Sequence, residues 1–142
     1  MAIQARSLEN FQVEINVNEN DHQLRADEPI SVGGDNTGPS PYDMLLSSMA
    51  ACKIITTQMY ARRKDWSLDG VEVQMSTKKV HAKDCEEAVS NPNARIDVID
   101  TEIRFLGNLD DEQIERLKEI SERCPVHRTL TSETIIRTKM LN

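Results

Sequence analysis

Aromatic side chains are scarce in this chain: one Trp, two Tyr and two Phe, or 4% of 142 residues. Surfaces that stack nucleobases depend on such rings, so a single-stranded nucleic acid is a poor candidate ligand. Positive charge is also short. Lys and Arg total 17 against 24 Asp and Glu, a net charge of −7, whereas a phosphate backbone requires concentrated cations. The same deficit argues against a basic membrane anchor. No stretch offers the roughly 20 apolar residues that span a bilayer, and residues 1–10 contain no apolar signal core. The expectation is therefore a cytoplasmic protein with neither nucleic acid nor membrane as partner. The five glycines form no GxxxxGK[ST], GxGxxG or GxSxG pattern, which removes kinase, dinucleotide-binding and α/β-hydrolase readings. Cysteine is limited to Cys52, Cys85 and Cys124. An odd number without a leader does not read as a disulfide framework. Such thiols are packing residues, metal ligands or redox groups.

What remains is an ordinary globular composition, 38% hydrophobic and 29% charged, at a length that fits one domain over residues 1–142. Residues 11–17 alternate apolar and polar and read as a half-buried strand, with a turn-forming cluster at 18–21 and a returning strand at 22–26. Residues 33–41 are dense in Gly, Pro and Asn and read as loop. The longest helical candidate is 40–64. Ser40 is a natural N-cap, Pro41 fits the first helical position and Asp43 stands as the capping-box acid. From Met44 to Tyr60 this helix is apolar or small on most sides, which predicts burial on most sides. Strands are expected at 68–83 and around 99–105, separated by a loop at 84–95. A second helix is capped by Asp110 and Gln113, with Ile114, Leu117, Ile120 and Cys124 along its apolar stripe, and Pro125 should end or kink it. A short final strand is expected at 134–139. The order β-β-α-β-β-α-β predicts an α+β fold with a mainly antiparallel sheet.

Each candidate for chemistry has a structural alternative. Cys52 lies in the middle of the apolar helix, where a small hydrophobe serves packing equally well. A reactive thiol there needs a cation brought to it from elsewhere in the fold, because the helix N-terminus is remote. Lys53 is adjacent in sequence but points about 100° away around the helix. Cys124 is either core or a partner thiol for Cys52, since the two helices most plausibly pack together. His127 is either a group placed beside Cys124 or a helix-end residue. Cys85 lies among acids that raise a thiol's pKa, so it is expected to be unreactive. Asp43 is explained by capping alone, and Arg25 is a lone strand cation that solvation explains. His81-x3-Cys85 with Cys124-x2-His127 resembles a zinc set, but the spacings are loose and no CxxC pair is present.

Two segments together resemble the OsmC/Ohr family of osmotically inducible and organic-hydroperoxide-resistance proteins. They are Gly38-Pro-Ser-Pro-Tyr-Asp-Met-Leu-Leu-Ser-Ser-Met-Ala-Ala-Cys52 and Cys124-Pro-Val-His-Arg-Thr-Leu130. The resemblance covers nearly the whole chain and implies an OsmC-like fold. In that fold sheets wrap around two central helices, and two copies form an intertwined homodimer. It further implies a thiol peroxidase acting on small organic hydroperoxides. Cys52 matches the peroxidatic position and Cys124 the resolving one, recycled by a dithiol reductant of lipoyl type, with no metal or bound cofactor. One departure marks this chain as closer to the broader OsmC-like branch. Tyr42 stands where the best-known members carry a Glu that holds an activating Arg, and Asp43 follows one residue later. Arg25 is the nearest candidate for that Arg. Two competing readings remain. In the first, an OsmC-like dimer binds a small apolar ligand or partner, with the cysteines as switch or packing. The second is a zinc-stabilised domain.

Overall fold

The structure is a computed structural model that describes residues 2–88 and 91–142. The chain divides into two compact units, Met1–Ser47 and Ser48–Asn142.

The first unit holds an antiparallel meander of β1 (Ile3–Ser7), β2 (Val13–Val17) and β3 (His22–Ala26), in that spatial order. Alternation predicts β2 and β3, and both form. The turn between them places Asn18, Glu19 and Asn20 at positive φ, a region where Asn is enriched. β1 is an addition to the expected order. All five of its residues are exposed, and the alternation of Ile3 and Ala5 with Gln4 and Arg6 is a short signal that sequence reasoning passed over. After β3 the loop folds back against its own backbone. A Cβ on Gly38 would stand 2.4 Å from the Arg25 carbonyl oxygen, and one on Gly34 would stand 1.9 Å from that of Glu28. Only glycine permits so close an approach. Buried Asp27 fastens the same loop, accepting from the Glu28 and Thr37 N–H groups and the Thr37 hydroxyl at 2.8 to 2.9 Å.

Helix α1 (Pro41–Arg63) begins as its sequence predicts. The Asp43 N–H donates to Ser40 Oγ at 3.2 Å, and the Asp43 carboxylate accepts from the Ser40 N–H at 3.0 Å. These bonds satisfy donors that an uncapped first turn would leave open. Arg62 and Arg63 close the helix, where cations suit the carbonyl-rich end.

The second unit contains the rest of α1, then β4 (Leu68–His81), β5 (Arg95–Gly107), α2 (Asp111–Glu122) and α3 (Pro125–Thr131). β4 and β5 pair as one long antiparallel hairpin, with a register shift between Leu68 and Gly70. The strand expected to reach residue 83 stops at His81, and Ala82–Asp84 turns as a short 3-10 segment. Of the loop expected at 84–95, residues 89 and 90 lie outside the described residues. Helix α2 opens with the expected capping box. Asp110 accepts from the Gln113 N–H at 2.7 Å, and the Gln113 side chain accepts from the Asp110 N–H at 3.0 Å. Tyr60 and Ala61 of α1 pack with Leu117 and Ile120 of α2, flanked by Trp66, Leu68, Phe105 and Leu109. The two helices therefore share a core, as their apolar faces predict.

Two expectations are corrected at the C-terminal end. Pro125 does end α2, but it also starts a separate helix. It occupies the first turn of α3, with Cys124 as N-cap, a position proline favours because its missing N–H is not needed there. Cys124 is thus not on the α2 stripe but in the joint after it. The strand expected at 134–139 does not form, since no regular element follows Thr131. Ile135, Ile136, Met140 and Leu141 stand exposed instead. A run of β-branched residues is not enough for a strand: its N–H and C=O groups close only against a neighbour, and none pairs with this segment among the described residues. The order becomes β-β-β-α-β-β-α-α, still α+β with antiparallel sheets. No helix of the described residues is long and apolar enough to cross a membrane.

Candidate active site

The second unit brings three of the residues singled out by sequence to one place: Cys52, Cys124 and His127. Cys52 projects half-buried from the middle of α1, while Cys124 is fully buried, and both are free thiols. Their side chains interact directly across the contact between α1 and the α2–α3 joint. Burial pushes the Cys124 thiol pKa up, and hydrogen bonding and charge from Cys52 push it the same way. Two influences oppose this: the His127 backbone N–H and the Lys53 ammonium. The His127 N–H donates to Cys124 Sγ at 3.4 Å, as an N-capping thiol requires.

Lys53 is the residue that sequence reasoning set aside. It is only 4% exposed. Its Nζ donates to the Ser121 carbonyl at 3.2 Å and lies 3.2 Å from His127 Nδ1. Ser121 belongs to the last turn of α2, whose carbonyls have no partner within the helix. An ammonium has no lone pair to accept with, so Nδ1 must be the acceptor and the ring proton of a neutral His127 resides on Nε2. Burial is the first cause that lowers the His127 pKa and the Lys53 charge is the second, while Glu122 acts weakly in the other direction. One signal was available in the sequence. Lys53 is the single charged residue between Met44 and Tyr60, in a helix expected to be buried on most sides.

Beside this group lies a cavity of about 420 Å³. Met49, Ile99 and Leu130 give it apolar wall, while Lys53, His127 and Glu122 give it polar edge. Asp97 and Asp100 also line it, but their charges are paired with Lys79 at 2.8 Å and Lys78 at 2.7 Å.

The other sequence candidates are placed elsewhere. Arg25 lies on β3 in the first unit, exposed and opposite Glu14. Asp43 caps α1, and its hydrogen bonds from Ser40 hold its carboxyl below the usual range. Cys85 donates to the Glu87 carboxylate at 3.2 Å. His81 ends β4, and among the described residues no three His, Cys, Asp or Glu side chains cluster to hold a metal.

Comparison with known proteins gives consistent results. The family model described as OsmC-like protein matches residues 34–139. No curated protein sequence matches the chain. Among solved structures, one similar chain is an organic hydroperoxide resistance protein OsmC from Legionella pneumophila. It has a TM-score of 0.66 at 15% identity, over 92% of this chain and 88% of that one. An OsmC like protein from Mycoplasma pneumoniae gives 0.64 at 21% identity, over 91% and 85%. The organic hydroperoxide resistance protein OhrB of Bacillus subtilis gives 0.60 at 16% identity, over 92% and 89%. At these identities the likeness is one of fold.

Proposed function

The chain belongs to the OsmC-like protein family, and on that premise we propose that it is a thiol-dependent peroxidase that reduces small organic hydroperoxides to alcohols. The observation that carries the reading is the direct contact of half-buried Cys52 with fully buried Cys124. The accessible thiol meets the peroxide, and the enclosed one waits for it. The Cys52 thiolate attacks the terminal peroxide oxygen. A sulfur–oxygen bond forms, the oxygen–oxygen bond breaks, and the alkoxide takes a proton and leaves as the alcohol. Cys124 then attacks the Cys52 sulfenic acid. A disulfide forms, the sulfur–oxygen bond breaks, and the hydroxide leaves as water with the Cys124 proton. A dithiol reductant of lipoyl type opens the disulfide by exchange. The cavity bordered by Lys53 and His127 has apolar wall from Met49, Ile99 and Leu130; an organic substituent that enters it gains from leaving water, and hydrogen peroxide does not.

The protein acts as one domain and as a homodimer. Ala51, Ile55 and Met59 recur at helical spacing on α1 and are exposed. The apolar segment after Thr131 has no partner strand among the described residues. The hairpin β4–β5 is a two-stranded sheet, an arrangement that is marginal unless covered. All three features are explained by a second copy. An odd number of cysteines, Cys52, Cys85 and Cys124, does not read as a structural disulfide framework, in keeping with a cytoplasmic location.

The test is consumption of cumene hydroperoxide and hydrogen peroxide with dihydrolipoamide, by wild type, Cys52→Ser and Cys124→Ser. Fast turnover of the organic peroxide that vanishes in Cys52→Ser supports the reading, and an inert wild type with both thiols reduced at the start would sink it. The cavity favours one second reading, an OsmC-like dimer that binds a small apolar molecule with the thiols as a slow switch. It is the reading left if the wild type is inert.

A further inference from the structure

Cys124 sits in a turn between two helices, and one side chain ties both sides of that turn. Ser121 lies three residues before the thiol and His127 three residues after it. The Nζ of Lys53 meets the carbonyl of the first at 3.2 Å and the ring of the second at 3.2 Å. The His127 N–H in turn reaches Cys124 Sγ at 3.4 Å. Lys53 is 4% exposed and Ser121 3%, so the ammonium is not solvated in the ordinary way. A charge taken out of water without full compensation is costly, and the packing of the helices alone would be served as well by Met or Leu. The carbonyl and the imidazole nitrogen supply two of the three acceptors an ammonium uses. What remains is a positive charge held on both sides of the turn that carries Cys124, and it acts to lower that thiol's pKa.

We propose that Lys53 is the positioning residue of the second thiol. Its buried ammonium clamps the α2–α3 joint and stabilises negative charge on Cys124 as that sulfur attacks oxidised Cys52. This role rests on the peroxidase reading. In the step it serves, the Cys124 S–H bond breaks, the disulfide forms, and the proton leaves with the sulfenic hydroxyl as water. Lys53 takes no part in the proton transfer and acts by its charge alone. Of the charged and titratable groups around Cys124, Arg123 precedes it in the chain. Cys52 and Lys53 come from α1 and His127 from α3, with Glu122 of α2 acting on His127. From β5, Asp97 and Asp100 reach the cavity, each already paired with a lysine of β4.

The sign of one titration separates a charge from a filler. Burial is the largest cause that raises the Cys124 pKa, and Lys53 lowers it. If Lys53 only fills space, its loss admits water and the thiol ionises more easily. If its charge matters, its loss makes the thiol harder to ionise. The experiment is the thiolate absorbance at 240 nm against pH in Cys52→Ser/Cys85→Ser protein, where Cys124 is the only thiol, with and without Lys53→Met. The expected result is an upward move of the midpoint. Lys53→Gln, which can still donate to the Ser121 carbonyl, is expected to move it the same way and serves if the Met variant does not fold. A midpoint that stays or falls in the folded variants overturns the assignment. In the protein with all three cysteines, one equivalent of cumene hydroperoxide should leave a Cys52 sulfenic acid trappable by dimedone, about tenfold longer-lived in the Lys53 variants. If no sulfenic acid forms in any protein while the midpoint moves up, the peroxidase reading fails and the electrostatic assignment stands.

Discussion

Three ionisable side chains share the enclosed end of this site, and their charges set how the protein answers pH. The His127 pKa is lowered from 6.5, first by burial and then by Lys53. A depressed base contributes stability above its unfolded value that is lost as pH falls through the folded one. The Cys124 pKa is raised from 9.0, first by burial. That contribution is complete below the unfolded value and is lost as pH rises through the folded one. The reduced protein should therefore be most stable between these limits. Urea melts from pH 5 to 10 test this. Cys124→Ser should flatten the alkaline fall, and His127→Gln the acid one. An unchanged profile in both variants would contradict the assigned burial. At this scale the sequence disclosed the two thiols and His127 through the Ala-Ala-Cys and Cys-Pro-Val-His segments. It hid Lys53, because residues adjacent on a helix diverge by about 100°, and only packing decides which of them faces a neighbouring element.

Helix starts were readable because their signals are local. Ser40 with Asp43 and Asp110 with Gln113 each fulfil the pattern that sequence predicts. Asp110→Ala should cost about 1 kcal/mol of stability through lost capping. Leu117→Ala should cost roughly 2–5 kcal/mol, because Leu117 is fully buried between the helices. Chemical denaturation separates the two, and similar losses for both would mean that the α1–α2 core is not where stability resides. Helix α3 was not readable for a physical reason. Proline both stops one helix and starts another, and sequence gives no sign of which it does when Cys is the cap. Strand β1 carries only a four-residue alternation, Ile3 to Arg6, with small Ala5 as its second apolar position, which is the lower limit of what marks a strand.

For the whole molecule, sequence predicts the α+β class and antiparallel pairing, both of which the structure bears out. It also predicts a last strand at 134–139 that one chain does not make. The β-branched residues Thr134, Ile135, Ile136 and Thr138 favour extended backbone, but no strand pairs with them among the described residues. Light scattering should give twice the chain mass for the wild type. Ile55→Asp/Met59→Asp, which charges the exposed face of α1, should shift the protein toward monomer. A wild type that elutes as a monomer would contradict the proposed assembly.

The central claim is that Cys52 and Cys124 form one redox pair. Its most direct measurement is peptide mass spectrometry under non-reducing conditions, after reduced protein meets one equivalent of cumene hydroperoxide. The expected result is a peptide linking Cys52 to Cys124, one cumyl alcohol per chain, and Cys85 still free. Unconsumed peroxide with both thiols intact, or a disulfide that joins Cys85 instead, would contradict it.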